Sequence, residues 1–336
     1  MKQQIKRKTI AALAAAASIA MLAGCSGAPG ETPAEGPGTN GELVPVKVGT
    51  MALADNAPLY FALDQGFFED QGLDVEIQVL SNGAAVTAAV IAGDSDFGYS
   101  NPISLILANS RGLPVTVVSG GVAAGQDAQG GSDSNAAILV PADSDITDIK
   151  GLRGRTVAVN ALGNILEVTL KNALEAEGID PESVNLVEVP FPEMQAALAG
   201  GQVDATFILE PFLTMSKLQD NSKAVAFPYE VAAKGLQAGL WFTTTTVLER
   251  DGETVKAFQA GMKRAVDYFD ANPDAARQAI PTFLKIPGEI VAEMNLPSFV
   301  TKADVDHLKL FVKLGKRYNI VKGDVDLDVL TAGLAK

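Results

Sequence analysis

From residue 46 onward, short runs rich in Val, Ile and Leu alternate with stretches of helical spacing, and this alternation confines the chain to an α/β architecture. Residues 46–51 read as a strand. Residues 58–66 read as a helix, with Pro58 in the first turn, where a missing N–H costs nothing. A strand over 74–80, a helix over 84–92, a strand over 96–100, a helix from Pro102 capped by Asn101 and a strand over 115–121 follow. A segment rich in Gly, Ser, Asp and Gln (123–135) intervenes, and a strand over 136–141 resumes the pattern. Further strands are expected over 156–160, 184–189, 205–209 and 241–248, with helices over 164–177 and 193–199. Beyond them the chain is nearly all helical, over 253–271, 273–284, 288–295 and 302–318. Two α/β units and a helical C-terminal section predict two lobes, and no repeat period points to a solenoid.

Composition removes several kinds of function. With 47% hydrophobic residues among 336, the chain has enough apolar surface to fill real cores. One cysteine and one histidine exclude an internal disulfide and the Cys- and His-based metal sites and leave a carboxylate-only site open; the reading expects neither a metal nor a cofactor. A formal net charge of -14 argues against a nucleic-acid partner, because phosphate backbones are attracted by basic surfaces. Residues 1–24 read as a secretory leader: Lys2, Lys6, Arg7 and Lys8 precede an apolar stretch over 10–22 that is short for a membrane span. Loss of those four basic residues would take the net charge from -14 to -18. The sequence Leu22-Ala23-Gly24-Cys25 resembles a bacterial lipobox, which implies lipidation of Cys25 and an anchor on the outer face of the cytoplasmic membrane. Residues 26–42, rich in Gly, Pro, Glu, Thr and Ala, read as a tether of about 20–25 Å reach.

A family resemblance runs through the two α/β units. Ala57-Pro58-Leu59-Tyr60-Phe61-Ala62, Gly66-Phe67-Phe68 and Gly72-Leu73-Asp74-Val75-Glu76 open it. Gly93-Asp94-Ser95-Asp96-Phe97-Gly98, Arg111-Gly112-Leu113-Pro114-Val115 and the segments 149–158 and 196–205 continue it to Glu210-Pro211-Phe212. In this order and spacing they resemble substrate-binding proteins of the nitrate, sulfonate, taurine and thiamine-precursor group, which serve ATP-binding-cassette (ABC) importers. The resemblance implies a type II periplasmic-binding-protein-like fold of two α/β lobes joined by two crossings, the second lobe inserted in the first. Residues 43–142 with 242–336 would then form lobe one, and 143–241 lobe two. It also implies a monomer that closes on a small molecule and hands it to a permease with its ATPase. The cysteine-rich segment of some thiamine-precursor relatives is absent.

In open α/β sheets, ligands bind beyond the carboxyl ends of the strands. That rule selects Asp55 and Asn56, then Asn82, Asn101 with the preceding Tyr99, and Ser119 in the first unit. In the second it selects Asn160, Gly163 and Asn164, Phe191 and Glu210, with Trp241 at the expected return crossing. Asn56, Asn82, Asn101 and Asn164 also stand where helix caps belong, and a cap and a contact are compatible roles. Tyr60 and Tyr99 suit the core as well as a pocket, whereas Phe191 and Trp241 fall nearer the cleft. Glu210 is expected at the cleft mouth, accepting hydrogen bonds from a ligand amine, with complementing a helix dipole as the plainer role. His307 falls on the apolar arc of its helix, where a partnered, half-buried imidazole is expected rather than a catalytic base.

Three functions compete on these grounds. The first is a solute receptor for an importer. The second is an enzyme on the same fold, as in menaquinone-precursor metabolism, and the third a surface or signalling lipoprotein. The lipobox favours export and thus the receptor. The ligand itself is not fixed by the sequence: nitrate, sulfonates, taurine, aromatic acids, pyrimidines and flavin-like compounds all fit the resemblance.

Overall fold

A computed structural model describes residues 42–124 and 134–334. The leader, Cys25, the tether up to residue 41 and most of the 123–135 segment lie outside the described residues.

The first run of elements is β1 (Val44–Thr50), α1 (Ala57–Asp64), β2 (Leu73–Val79), α2 (Gly83–Ala92), β3 (Phe97–Ser100), α3 (Pro102–Ser110) and β4 (Val115–Ala123). A second run comprises β5 (Ala136–Val140), β6 (Thr156–Val159), α4 (Ile165–Ala176), β7 (Asn185–Glu188), α5 (Phe191–Ala199), β8 (Ala205–Leu209), α6 (Phe212–Gln219), β9 (Lys223–Ala226) and α7 (Pro228–Ala232). The chain then passes through β10 (Gln237–Thr244), α8 (Thr245–Arg250), α9 (Gly252–Ala271), α10 (Ala275–Leu284), α11 (Gly288–Glu293), β11 (Ser298–Phe299), α12 (Val305–Arg317) and α13 (Leu327–Leu330).

These strands form two mixed sheets, in the orders β11-β4-β10-β3-β1-β2 and β7-β6-β8-β5-β9. Parallel pairs β1–β2, β1–β3, β6–β7 and β6–β8 carry the βα units, and β10 and β5 enter antiparallel. Strands β4, β5, β8 and β10 are buried along their whole length, as strands covered on both faces must be, and their apolar runs follow from that. β5 pairs in the second sheet, and β10 from Gln237 onward pairs between β3 and β4 in the first.

The expected strand over 241–248 is corrected: β10 ends at Thr244, whose hydroxyl accepts the Val247 N–H at 3.1 Å and caps α8. A run of threonine and valine looks like a strand by propensity, yet the cap turns it into a helix. The first lobe's aromatic core is centred on Phe258 of α9, which stacks on Phe97 (ring centroids 4.2 Å apart) and meets Phe68 and Trp241. His307 on α12 is partnered as expected, its Nδ1 accepting the Gln237 N–H at 3.2 Å.

Candidate functional site

The carboxyl ends of strands from both sheets face one another across a cleft of about 30 Å³. The first lobe contributes Met51, Leu53 and Asp55 after β1, Tyr99 and Asn101 at the end of β3, and Ala238 of β10. The second contributes Asn160 after β6, Asn164, Ile165 and Leu166 at the start of α4, Phe191 of α5, Leu209 at the end of β8 and Tyr229 of α7. A space of this volume holds about two water molecules. Any organic solute therefore requires the lobes to part before it enters.

Asp55 is the unusual member. It is 4% exposed, in a single turn of 3-10 helix over Ala54–Asn56. Its Oδ2 accepts the Tyr99 hydroxyl at 2.8 Å, and its Oδ1 is buried with no hydrogen-bond partner among the described residues. Burial pushes its carboxyl up to about 6, against the lowering influence of Tyr99 and the nearby Asn135 carboxamide. Burial and the Asp55 charge hold the Tyr99 hydroxyl firmly protonated, and they raise Tyr229 as well. Tyr99 reaches this position because residue 239 on the neighbouring strand is glycine. A Cβ there would fall on the tyrosine ring and hydroxyl.

Asn101, Asn160 and Asn164 show how capping and lining coincide. Asn101 Oδ1 caps α3 by accepting the Ser104 N–H at 3.0 Å, and its Nδ2 donates to Ser104 Oγ at 3.0 Å. Asn164 Oδ1 caps α4 at Leu166 N and Glu167 N, while its Nδ2 donates to Asn160 Oδ1 at 2.7 Å. All three line the cleft.

The other expected positions lie elsewhere. Asn82 caps α2 through Ala85 N at 2.9 Å and is not among the cleft-lining residues. Asn56 is fully buried, and its Nδ2 donates to Met51 O at 2.7 Å inside the same loop. Ser119 donates to Thr301 O at 3.1 Å and so ties β4 to the segment before α12. Trp241 is a core residue between Tyr99 and Phe258, with ring centroids 5.1 and 5.7 Å away. Tyr60 stacks on Phe283 of α10 at 4.1 Å. Gly163, in the left-handed region at φ 66°, lines a separate groove of about 600 Å³ between α2, α3 and the loop before α4. That groove is lined mainly by alanine, leucine and isoleucine and shares only Asn164 with the cleft.

Glu210 requires a correction. It is 0% exposed and stands behind the cleft instead of at its mouth. Its Oε2 accepts Thr214 N at 3.1 Å, and its Oε1 accepts Thr214 Oγ1 at 2.8 Å and Asn295 N at 3.1 Å. Burial pushes this carboxyl up to about 7, although those bonds and Lys217 pull it down. Because Asn295 follows α11, the contact joins the second sheet's loop to the C-terminal helices. Tyr229, Leu53, Ile165, Leu166 and Leu209 line the cleft without having been expected there. Tyr229 sits on a five-residue helix inside a stretch with no hydrophobic periodicity, so no sequence signal marks it.

Comparison with known proteins agrees with this architecture. A Brachyspira hyodysenteriae protein provisionally named an ABC transporter periplasmic binding protein is 24% identical over 323 residues, covering 90% of this chain and 87% of its own length. The taurine-binding periplasmic protein of Escherichia coli is 26% identical over 246 residues, covering 73% of this chain and 70% of that protein. Among solved structures, the alkanesulfonate-binding protein SsuA of Xanthomonas axonopodis superposes with a TM-score of 0.73 at 17% identity, covering 88% of this chain and 99% of that one. The fold is thus the two-lobed periplasmic-binding-protein fold, with two mixed sheets and the second lobe inserted in the first. The family profile described as NMT1/THI5 like matches residues 54–276, two-thirds of the sequence, and the chain belongs to the NMT1/THI5-like family.

Proposed function

We propose that the chain is the solute-binding component of an ABC importer, capturing a small molecule between its lobes and presenting the closed form to a permease. The observation that carries this reading is convergence. Strand ends of two separate sheets put polar side chains, Asp55, Tyr99 and Asn101 from one and Asn160 and Asn164 from the other, onto one cleft. A solute bridging them favours the closed arrangement, since only there does it touch both sets. The relatives' names, which include taurine-binding and alkanesulfonate-binding proteins, support the same reading. Within it, residues 134–236 form the inserted lobe, and residues 42–124 with 237–334 the other.

A thermal-shift screen over sulfonates, taurine, nitrate, aromatic acids and aminopyrimidines tests it. A true ligand at one hundred times its dissociation constant stabilises the protein by about 2.7 kcal/mol. Recovery of that compound unchanged fits a receptor, and its conversion to product would favour an enzyme instead. Cys25 serves in this proposal as the lipid attachment point. Cys25→Ser should abolish incorporation of labelled palmitate and release the protein from the membrane fraction. Unaltered labelling would remove the anchor from the proposal.

A further inference from the structure

Resting on the reading of the cleft as the ligand site, we infer that its solute presents an N–H donor head, an amino or amidine group, to Asp55 Oδ1. The argument begins with supply and demand. Asp55 is buried and lines the cleft, and one of its two carboxylate oxygens is already used by Tyr99. The other has no partner among the described residues. An unpaired buried carboxylate oxygen is costly, and above its raised pKa a donor is what relieves the cost. Of the protein's own donors nearby, the Asn135 carboxamide is itself buried without a partner among the described residues and makes no bond to Oδ1. The Tyr99 hydroxyl proton goes to Asp55, and one N–H of each of Asn101 and Asn164 goes to a neighbouring side chain.

The second part concerns charge. No lysine or arginine is among the described residues lining the cleft. A sulfonate, carboxylate or nitrate placed against Asp55 would meet a like charge in a site with little water, without a cation to offset it. A donor head reverses that balance. Beside the asparagines and tyrosines, the lining includes the apolar Met51, Leu53, Ile165, Leu166 and Phe191, which suit a small aliphatic or planar body behind the head. Any acidic tail on the solute would have to be directed away from Asp55, towards the helix N-termini capped by Asn101 and Asn164.

Isothermal titration calorimetry on the intact protein with matched probes decides the matter. Taurine is compared with ethanesulfonate, and 4-amino-2-methylpyrimidine with 2-methylpyrimidine. The expected result is binding by at least one amino member of these pairs, with loss of roughly ten- to hundredfold in affinity when the amino group is removed. Asp55→Asn should weaken the amino member similarly while leaving the far-UV circular dichroism unchanged. The matched pairs on the wild-type chain carry the test even if that variant does not fold. Ethanesulfonate or 2-methylpyrimidine binding as tightly as its amino partner overturns the donor inference and leaves the solute-binding reading in place. No heat from any probe, or from nitrate and benzoate run beside them, removes both.

Discussion

Asp55 and Glu210 are carboxyls shut away from water on opposite sides of the lobe junction, one under-bonded and the other bonded three times, and burial outweighs hydrogen bonding in both. Each has its folded pKa raised, from 3.8 to about 6 and from 4.5 to about 7. The folded chain therefore binds protons more tightly than the unfolded one. Their contribution is most favourable at low pH and declines as pH rises through about 6 for Asp55 and about 7 for Glu210. Each penalty at pH 8 is on the order of 3 kcal/mol. The groups facing them are Tyr99, Tyr229 and Asn135 around Asp55, and Thr214, Asn295 and Lys217 around Glu210. Neither hydroxyl titrates in this window, because burial raises both tyrosines further.

Urea unfolding at pH 5, 6, 7 and 8 should show stability falling up to about pH 7 and levelling off above it. The fall should be visibly flatter in Glu210→Gln and in Asp55→Asn, and an unchanged slope in both variants would contradict the buried-charge account. The strand-end rule was enough to select Asp55, Asn101, Asn160, Asn164 and Phe191, because each sits in the first residues after a strand. It does not say whether a side chain turns into the cleft or behind it. Glu210 turns behind because Thr214, one helical turn onward, and Asn295, distant in sequence, supply its donors, and the second of these leaves no local trace.

Among the elements, the helix starts were the most legible and also the most ambiguous, since asparagine is favoured both as a cap and as a cleft residue. The geometry separates the two roles. Asn82 only caps α2, whereas Asn164 caps α4 and lines the cleft. Asn82→Ala should cost about 1 kcal/mol of stability and leave solute affinity untouched. Asn164→Ala should cost a similar amount and also weaken binding, since Asn160 loses the amide donor that holds it. Equal affinity losses from the two substitutions, measured by calorimetry beside thermal melts, would show that capping alone accounts for both. Strands such as β4, β5 and β8 were recognisable for a physical reason: buried along their whole length, they are largely continuous apolar runs. The short elements between β8 and β10 were not, because α7 and β9 have too few residues to show a period.

At the scale of the whole molecule, the lobes are joined across the cleft by ties outside it. Glu175 of α4 in the inserted lobe accepts hydrogen bonds from Arg317 and from the Tyr318 hydroxyl, which belong to α12 and its cap in the other lobe. Arg317 holds the Glu175 carboxyl below the usual carboxylate range, and the Tyr318 hydroxyl reinforces this. The tie is thus ionised throughout the neutral range and exists only while the lobes stand in this arrangement. Under the proposed closure it would favour the closed form without touching the solute. Removing it should shift the population towards parted lobes and lower apparent affinity by the fraction of competent protein lost. For a solvent-exposed pair the expected change in Kd is roughly two- to fivefold.

Glu175→Ala should accordingly show a larger radius of gyration than the wild type in small-angle scattering without solute, and the same radius at saturation. Added salt should move the wild type towards the variant, because the pair is screened. If the radii agree without solute and affinity is unchanged, closure depends on the cleft contacts and the Glu210–Asn295 bond, with the outer ion pair incidental to it.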